Sequence, residues 1–307
     1  MRVQVRALVW SAALCALLCL AVLVSATVGP VDIDTPTVAR AMVNAIAVPT
    51  SIGFDSVQAG VGAHTVGIPV PDLEYTHLFD LSVPATEETI IRQLRLPRML
   101  LGAVVGFALG TAGVVMQGFF RNPMADPSII GVSSGAAVGA VATIAFPLAL
   151  PFGLQTAAFV GALVAAFGVY AIATEGGRTP VATLLLAGLA VQTFLGAIVS
   201  YMLLHAGESL DEAILWLMGH LQYSTWGRIE ATLPVAVLLF VVLLAYARDL
   251  NVLLLGEEDA RALGVDVEHT KRVLLAVSSL VTAAAVAVSG VIGFVGLIVP
   301  HVMRLLV

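Results

Sequence analysis

Few side chains in this sequence are placed to do chemistry, and their spacing argues against most kinds of it. A nucleotide-hydrolysing loop needs G-x-x-x-x-G-K-[ST], whose backbone amides cradle phosphates while the lysine reaches them. The sole lysine, Lys271, follows His269-Thr270 with no glycine-rich turn before it. The protein therefore has no P-loop and is not itself an ATP hydrolase. The only two cysteines, Cys15 and Cys19, sit inside an apolar run and share a helix face, so they read as small fillers. His64 and His77 lack the spacing of metal ligands. His205 and His301 lie near the ends of apolar runs, and neither has a carboxylate in its span, which argues against an intramembrane enzyme. No metal site and no cofactor is expected.

Two charged groupings remain. The stretch 248–272 carries Arg248, Asp249, Glu257, Glu258, Asp259, Arg261, Asp266, Glu268, Lys271 and Arg272. Within it a short helical pattern, Ala260 and Leu263, stops at Gly264, and a second short helix runs from Asp266 into the next span. Such a pair is either a docking surface for a soluble partner or an ordinary solvated loop; spacing alone leaves both open. The second grouping is Arg95 and Arg98 in "RLPR". Read from the residues alone, these are interfacial arginines that snorkel.

The elements that must hold these groups are apolar. Of 307 residues, 59% are hydrophobic and 11% charged, against about 25% charged in a water-soluble domain. Helices that are apolar all round belong in a large core or in lipid, and several runs here exceed the roughly 18 residues of a membrane span. A net charge of −6 argues against nucleic acid as a partner. The apolar runs are 7–28, 97–118, 128–147, 152–174, 180–205, 231–247, 272–292 and a short 291–307. The first has two readings, a cleaved signal peptide with Ser25-Ala26-Thr27 as a weak cleavage site or a retained helix; at about 22 residues, about 33 Å at helical rise, it is longer than a signal-peptide core, which favours the helix. It is read as a retained helix whose Arg2 and Arg6 hold the N-terminus in the cytoplasm.

Alternation then leaves 119–127, 174–180 and 248–271 inside, and 30–96, 148–151 and 206–230 outside. Residues 30–91 are acidic and rich in Pro and Gly, and read as a partly irregular solvated connector. The centres of the apolar runs hold no Asp, Glu, Lys or Arg. Ion-coupled carriers keep such residues in the bundle, so energy is expected from outside the membrane. Gln117, Gln192, Ser133, Ser134, Thr193 and Ser200 either line a passage or simply bond across helices and to local carbonyls. Gly102, Gly106 and Gly110, and again Gly131, Gly135 and Gly139, repeat at one-turn spacing, which predicts close helix packing.

The run 94–135, "LRLPRMLLGAVVGFALGTAGVVMQGFFRNPMADPSIIGVSSG", resembles the FecCD-type permeases, the membrane subunits of ATP-binding-cassette importers for cobalamin, haem and iron–siderophore chelates. "LLLAGLAVQTFLGA" (184–197), "WLMGHL" (216–221) and "LLLGEEDARALGVDVEHTKRVLLAV" through "GVIGFVGLIVPHVMRLL" (253–306) agree with it. The resemblance implies an all-α polytopic membrane protein, a single permease domain over 1–307 of the type II importer kind. About eight of ten expected helices are present, which implies a truncated C-terminus. It implies no catalytic activity in this protein. The partners it implies are two ATP-binding subunits, an external substrate-binding protein, a second copy of itself and membrane lipid. It gives ATPase coupling to Glu257, Glu258, Arg261, Leu263 and Gly264, and binding-protein docking to Arg95 and Arg98. Asn122, Pro123, Asp126 and Pro127 of "RNPMADP" become a tight inner turn. The carried ligand stays open between cobalamin, haem and siderophores, with a lean to cobalamin. A permease for another small ligand, or a membrane anchor without transport, are the alternatives.

Overall fold

The computed structural model describes residues 2–61, 64–146 and 153–306. In sequence order the helices are α1 (Arg2–Thr27), α2 (Thr35–Asn44), α3 (Ala85–Thr89), α4 (Leu96–Phe119), α5 (Val132–Ala145), α6 (Gly153–Ala173), α7 (Val181–Leu204), α8 (Leu210–Leu217), α9 (Trp226–Ala245), α10 (Ala247–Leu253), α11 (Glu257–Ala262), α12 (Val267–Ser289) and α13 (Val295–Leu306). A π-helical turn, Ile90–Arg95, joins α3 to α4 and makes one continuous rod of Ala85–Phe119. Among the described residues six helices are long and apolar enough to cross a membrane, and α5 and α13 are shorter apolar helices. The protein is a polytopic helical membrane protein.

The eight apolar runs fall on these eight helices, with one break. The run 128–147 is not a single helix. Pro127–Ile130 forms a 3-10 turn, Gly131 takes φ +83°, and α5 starts only at Val132. The connector 30–91 is also more ordered than expected. Strands β1 (Ala47–Val61) and β2 (His64–His77) pair antiparallel, from Ala47 opposite His77 to Val61 opposite His64. The reason is the β-branched and aromatic content of "SIGFDSV" and "HTVGIPV", which favours strands. Pro69 and Pro71 are two residues apart, and in a two-stranded ladder alternate N–H groups face outward, so both prolines fit the edge.

The protein divides into two compact units. One comprises 1–103, 222–229 and 306–307. Its core is Ala26, Ile33, Val38, Ala41, Ile91 and Leu96, which seats the end of α1 on α2 and on the π-helical turn. Asp34 caps α2 by accepting from the Thr37 amide. Asn44 at the end of α2 bonds both the amide and the carbonyl of Leu81, fastening the segment beyond the hairpin.

The other unit comprises 104–221 and 230–305. Here α5 packs on α6 and α7, and α12 packs on α6 and α5. A Cβ at Gly135 would collide with the Gly161 carbonyl, and one at Gly139 with the Ala157 carbonyl, so α5 and α6 meet backbone to backbone. On α12 Ser278, Ser279, Thr282 and Ser289 are fully buried. Each hydroxyl donates to the carbonyl four residues back, so none needs water in an apolar interior.

Candidate functional site

The loop between α9 and α12 is the most highly charged part of the second unit. Gly256, at φ 131°, opens α11. Glu257, Glu258 and Asp259 fill its first turn, where negative charge suits the exposed amides. The helix ends in a Schellman turn: Gly264, at φ +84°, donates to Arg261 O, and Val265 donates to Ala260 O. Asp266 then caps the next helix through the His269 amide at 3.0 Å. The stop at Gly264 and the restart at Asp266 thus lie where the sequence pattern puts them. From Asp266 the helix runs straight into the next span as α12, as that pattern implies. Ala260 is buried beneath α11, while Glu258, Asp259, Leu263 and the neighbouring Leu254 and Leu255 are exposed. A surface of exposed leucines beside carboxylates suits protein docking more than it suits solvent.

Beneath that surface lies an ion network that spacing did not reveal. Glu257 Oε2 pairs with Arg261 at 3.2 Å, and Glu257 Oε1 with Lys271 Nζ at 3.0 Å. Glu268 Oε1 stands 3.7 Å from Lys271 and 3.8 Å from Arg261. Lys271 also donates to the Thr179 carbonyl, and Glu268 Oε2 accepts from the Thr179 amide at 3.3 Å. Lys271 is only 5% exposed, and Thr179 is buried. The one clue in the sequence is that every other basic residue here is an arginine. A lysine offers a compact, three-donor head on a flexible stem, which suits a carbonyl and two carboxylates at once.

The two arginines of "RLPR" are placed differently. Arg95 is buried, and its guanidinium donates to the carbonyls of Ala26 and Val31, at and just beyond the end of α1. That position complements the negative end of the helix. Gly29 leaves the room for it, since a Cβ there would lie 2.6 Å from Arg95 Nη2. Arg98 is exposed. The π-helical turn that precedes them also leaves the Arg92 carbonyl open to the Trp226 indole N–H at 3.0 Å.

The segment after α4 is a compact turn. Arg121 takes φ 49° and donates to Gly118 O, while Asn122 donates to Gln117 O, closing α4 in a Schellman arrangement. Asn122 Oδ1 accepts from the Met124 amide at 2.9 Å, and Asp126 Oδ1 from the Ser128 amide at 2.9 Å. Pro123 stands in this turn, and Pro127 opens the 3-10 segment. Pro127 packs on Gly296, where a Cβ would lie 2.7 Å from its Cδ.

The glycine stripes are also unequal. Gly135 and Gly139 face the α6 backbone, and Gly131 supplies the left-handed turn before α5. Gly106 faces open space, and Gly110 has only ordinary contact with Val299. The close approach on α4 is instead at Gly113, against the Gly296 carbonyl of α13. Two side-chain amides bond to carbonyls of other elements: Gln117 Nε2 to Leu297 O at 3.0 Å, and Gln192 Nε2 to Ile129 O at 2.6 Å. Thr193 and Ser200 bond carbonyls of their own helix. For these four residues the bonding role fits better than a passage lining.

Comparison with known proteins places this arrangement. Residues 17–307 match the model of the FecCD transport family. The cobalamin import system permease protein BtuC of Halobacterium salinarum is 56% identical over 304 residues, 98% of this sequence and 82% of that protein. The hemin transport system permease protein HmuU of Yersinia pestis is 39% identical, over 76% of this sequence and 71% of its own. Among solved structures, an inward-facing conformation of a metal-chelate type ABC transporter matches with a TM-score of 0.65 and 33% identity, covering 75% of this protein and 73% of that one. With a family match across nearly its whole length, this protein belongs to the FecCD transport family, the membrane permeases of ATP-binding-cassette importers.

Proposed function

We propose that this protein is the permease of a cobalamin importer. The observation that carries the reading is the 56% identity, over 98% of the sequence, to a relative named for cobalamin import. It works as a pair of identical copies with the path between them. Two ATP-binding subunits dock on the inner face, and an external binding protein delivers the ligand. The N-terminus is cytoplasmic, which puts the 174–180 and 248–271 connections on the side of the ATPase. ATP hydrolysis falls to the partner, because the sequence has no phosphate-cradling loop. Glu257, Glu258, Arg261, Leu263 and Gly264 form the docking element, with Leu263 as its apolar anchor. A site of buried apolar anchors ringed by charge is where docking energy concentrates.

The test is uptake in cells lacking the gene. Labelled cobalamin uptake is expected to fall at least tenfold and to return with the gene, while a labelled ferric chelate enters unchanged. Loss of iron uptake alone would move the protein to the haem and siderophore branch. The docking element has its own test. Leu263→Asp with Glu258→Lys is expected to cut co-purification of the ATP-binding subunit at least tenfold, while the permease still elutes as a single folded species. Undiminished association would remove this surface from the interface.

A further inference from the structure

The connection between α6 and α7 is a rigid hairpin-like turn. Glu175 and Arg178 exchange both backbone hydrogen bonds, and Gly176 and Gly177 take φ 58° and 77° between them. Two glycines with positive φ are what the tightest such turn requires. The next residue, Thr179, is buried and held at both its backbone groups: its carbonyl accepts from Lys271, and its amide donates to Glu268. Its hydroxyl meets Thr174 Oγ1 at 2.9 Å, which closes the turn on the end of α6. Lys271 in turn holds Glu257, the first residue of α11. One ammonium group therefore joins two segments whose covalent connection runs through α7, α8, α9 and α10.

We propose that Lys271 is a positioning residue that fastens the α6–α7 turn to α11, so that a displacement of α11 is passed to α6 and α7 together. This rests on the reading of α11 as the ATPase-docking element. The direct covalent route from α11 runs through the Schellman turn at Gly264 into α12. The Lys271 link is a second route, through side chains that reach the α6–α7 turn directly. It acts on α6, which lies backbone to backbone against α5, so displacement there cannot be absorbed by side chains. The chemistry fits the role. Glu257 and Glu268 each share a second cation in Arg261, so the carboxylates stay oriented and Lys271 alone reaches the Thr179 carbonyl.

Amide hydrogen exchange on the permease purified with its ATP-binding subunits, with and without nucleotide, tests this. Lys271→Met is expected to raise exchange at Thr179 at least tenfold, with Ser278 to Thr282 of α12 unchanged as the mark of an intact fold. Glu268→Ala releases the same amide from its other partner and is expected to do likewise. Lys271→Arg, which keeps the donors, is expected to keep most of the protection. In the wild-type complex nucleotide should alter exchange at 174–180 and 257–263 together, and in Lys271→Met only at 257–263. Unchanged Thr179 protection in both Lys271→Met and Glu268→Ala would overturn the link. A loop that still follows α11 in Lys271→Met would overturn its role in transmission. Failure of the wild-type permease to hold an ATP-binding subunit would overturn the docking reading and transmission with it, while the exchange contrast still judges the link itself.

Discussion

Gly113→Val is expected to remove nearly all folded permease from the membrane, whereas Gly106→Ala is expected to be neutral or mildly stabilising. Both glycines lie on α4, two turns apart. At Gly113 an added Cβ would fall inside the Gly296 carbonyl of α13, and the neighbouring atoms are backbone on both sides. Backbone cannot rotate away as a rotamer does, so α13 must separate from α4. That separation also breaks the bond from Gln117 to the Leu297 carbonyl and takes that partner from a buried amide. A loss of about 4 kcal/mol or more follows, which belongs to the exceptional tail of single substitutions. At Gly106 no atom lies within 4 Å of the new Cβ. Alanine there gains about 0.5–1 kcal/mol of helix preference. The check is the amount of monodisperse protein after detergent extraction, together with its thermal midpoint. Equal behaviour of the two variants would mean that α4 and α13 do not meet at Gly113.

The same pair shows what a one-dimensional reading reaches. Apolar runs are legible because lipid demands them, and all eight fall on helices. Local caps are legible too: Gly264 ends α11 and Asp266 opens α12 because both devices act within a few residues. Gly113 is invisible by contrast. Its partner, Gly296, lies on a helix distant in sequence, and the one-turn repeat stops short of it, since Gly106 meets open space and Gly110 only ordinary contact with Val299. Lys271 escapes notice for the same reason, since Thr179 is distant in sequence and Glu257 does not share its helix. The hairpin at 47–77 is obscured differently. Scattered Pro and Gly suggest irregularity, but edge positions in a two-stranded ladder tolerate both.

Arg95 and Arg98 are indistinguishable in "RLPR", yet their substitutions are expected to fail in different ways. Arg95→Met removes a buried cation that serves two carbonyls, Ala26 and Val31. Hydrogen bonds from a charged donor are worth about 1.5–3 kcal/mol each, and an acceptor left buried costs further. The Ala26 carbonyl belongs to a fully buried residue and has little access to water in exchange. Since α1 has almost no other burial along its length, its seat is the small cluster around Ala26, Ile91 and Leu96. Arg95→Met is therefore expected to loosen the end of α1. Protease cleavage near Val28 to Val31 should rise at least tenfold, with transport lost in proportion to the intact protein lost. Arg98→Glu touches no buried bond. It is expected to leave cleavage and yield unchanged and, on the docking role that the family resemblance gives Arg98, to weaken capture of an external binding protein at least tenfold at low salt, because a reversed charge opposes a partner face complementary to arginine. Raising the ionic strength should narrow the difference between wild type and Arg98→Glu, since screening acts on exposed charge, and should leave Arg95→Met as defective as before. If Arg98→Glu captured the binding protein as well as wild type at low salt, the docking role would pass from this pair of arginines to another outer surface, and Arg95 would keep only its hold on α1.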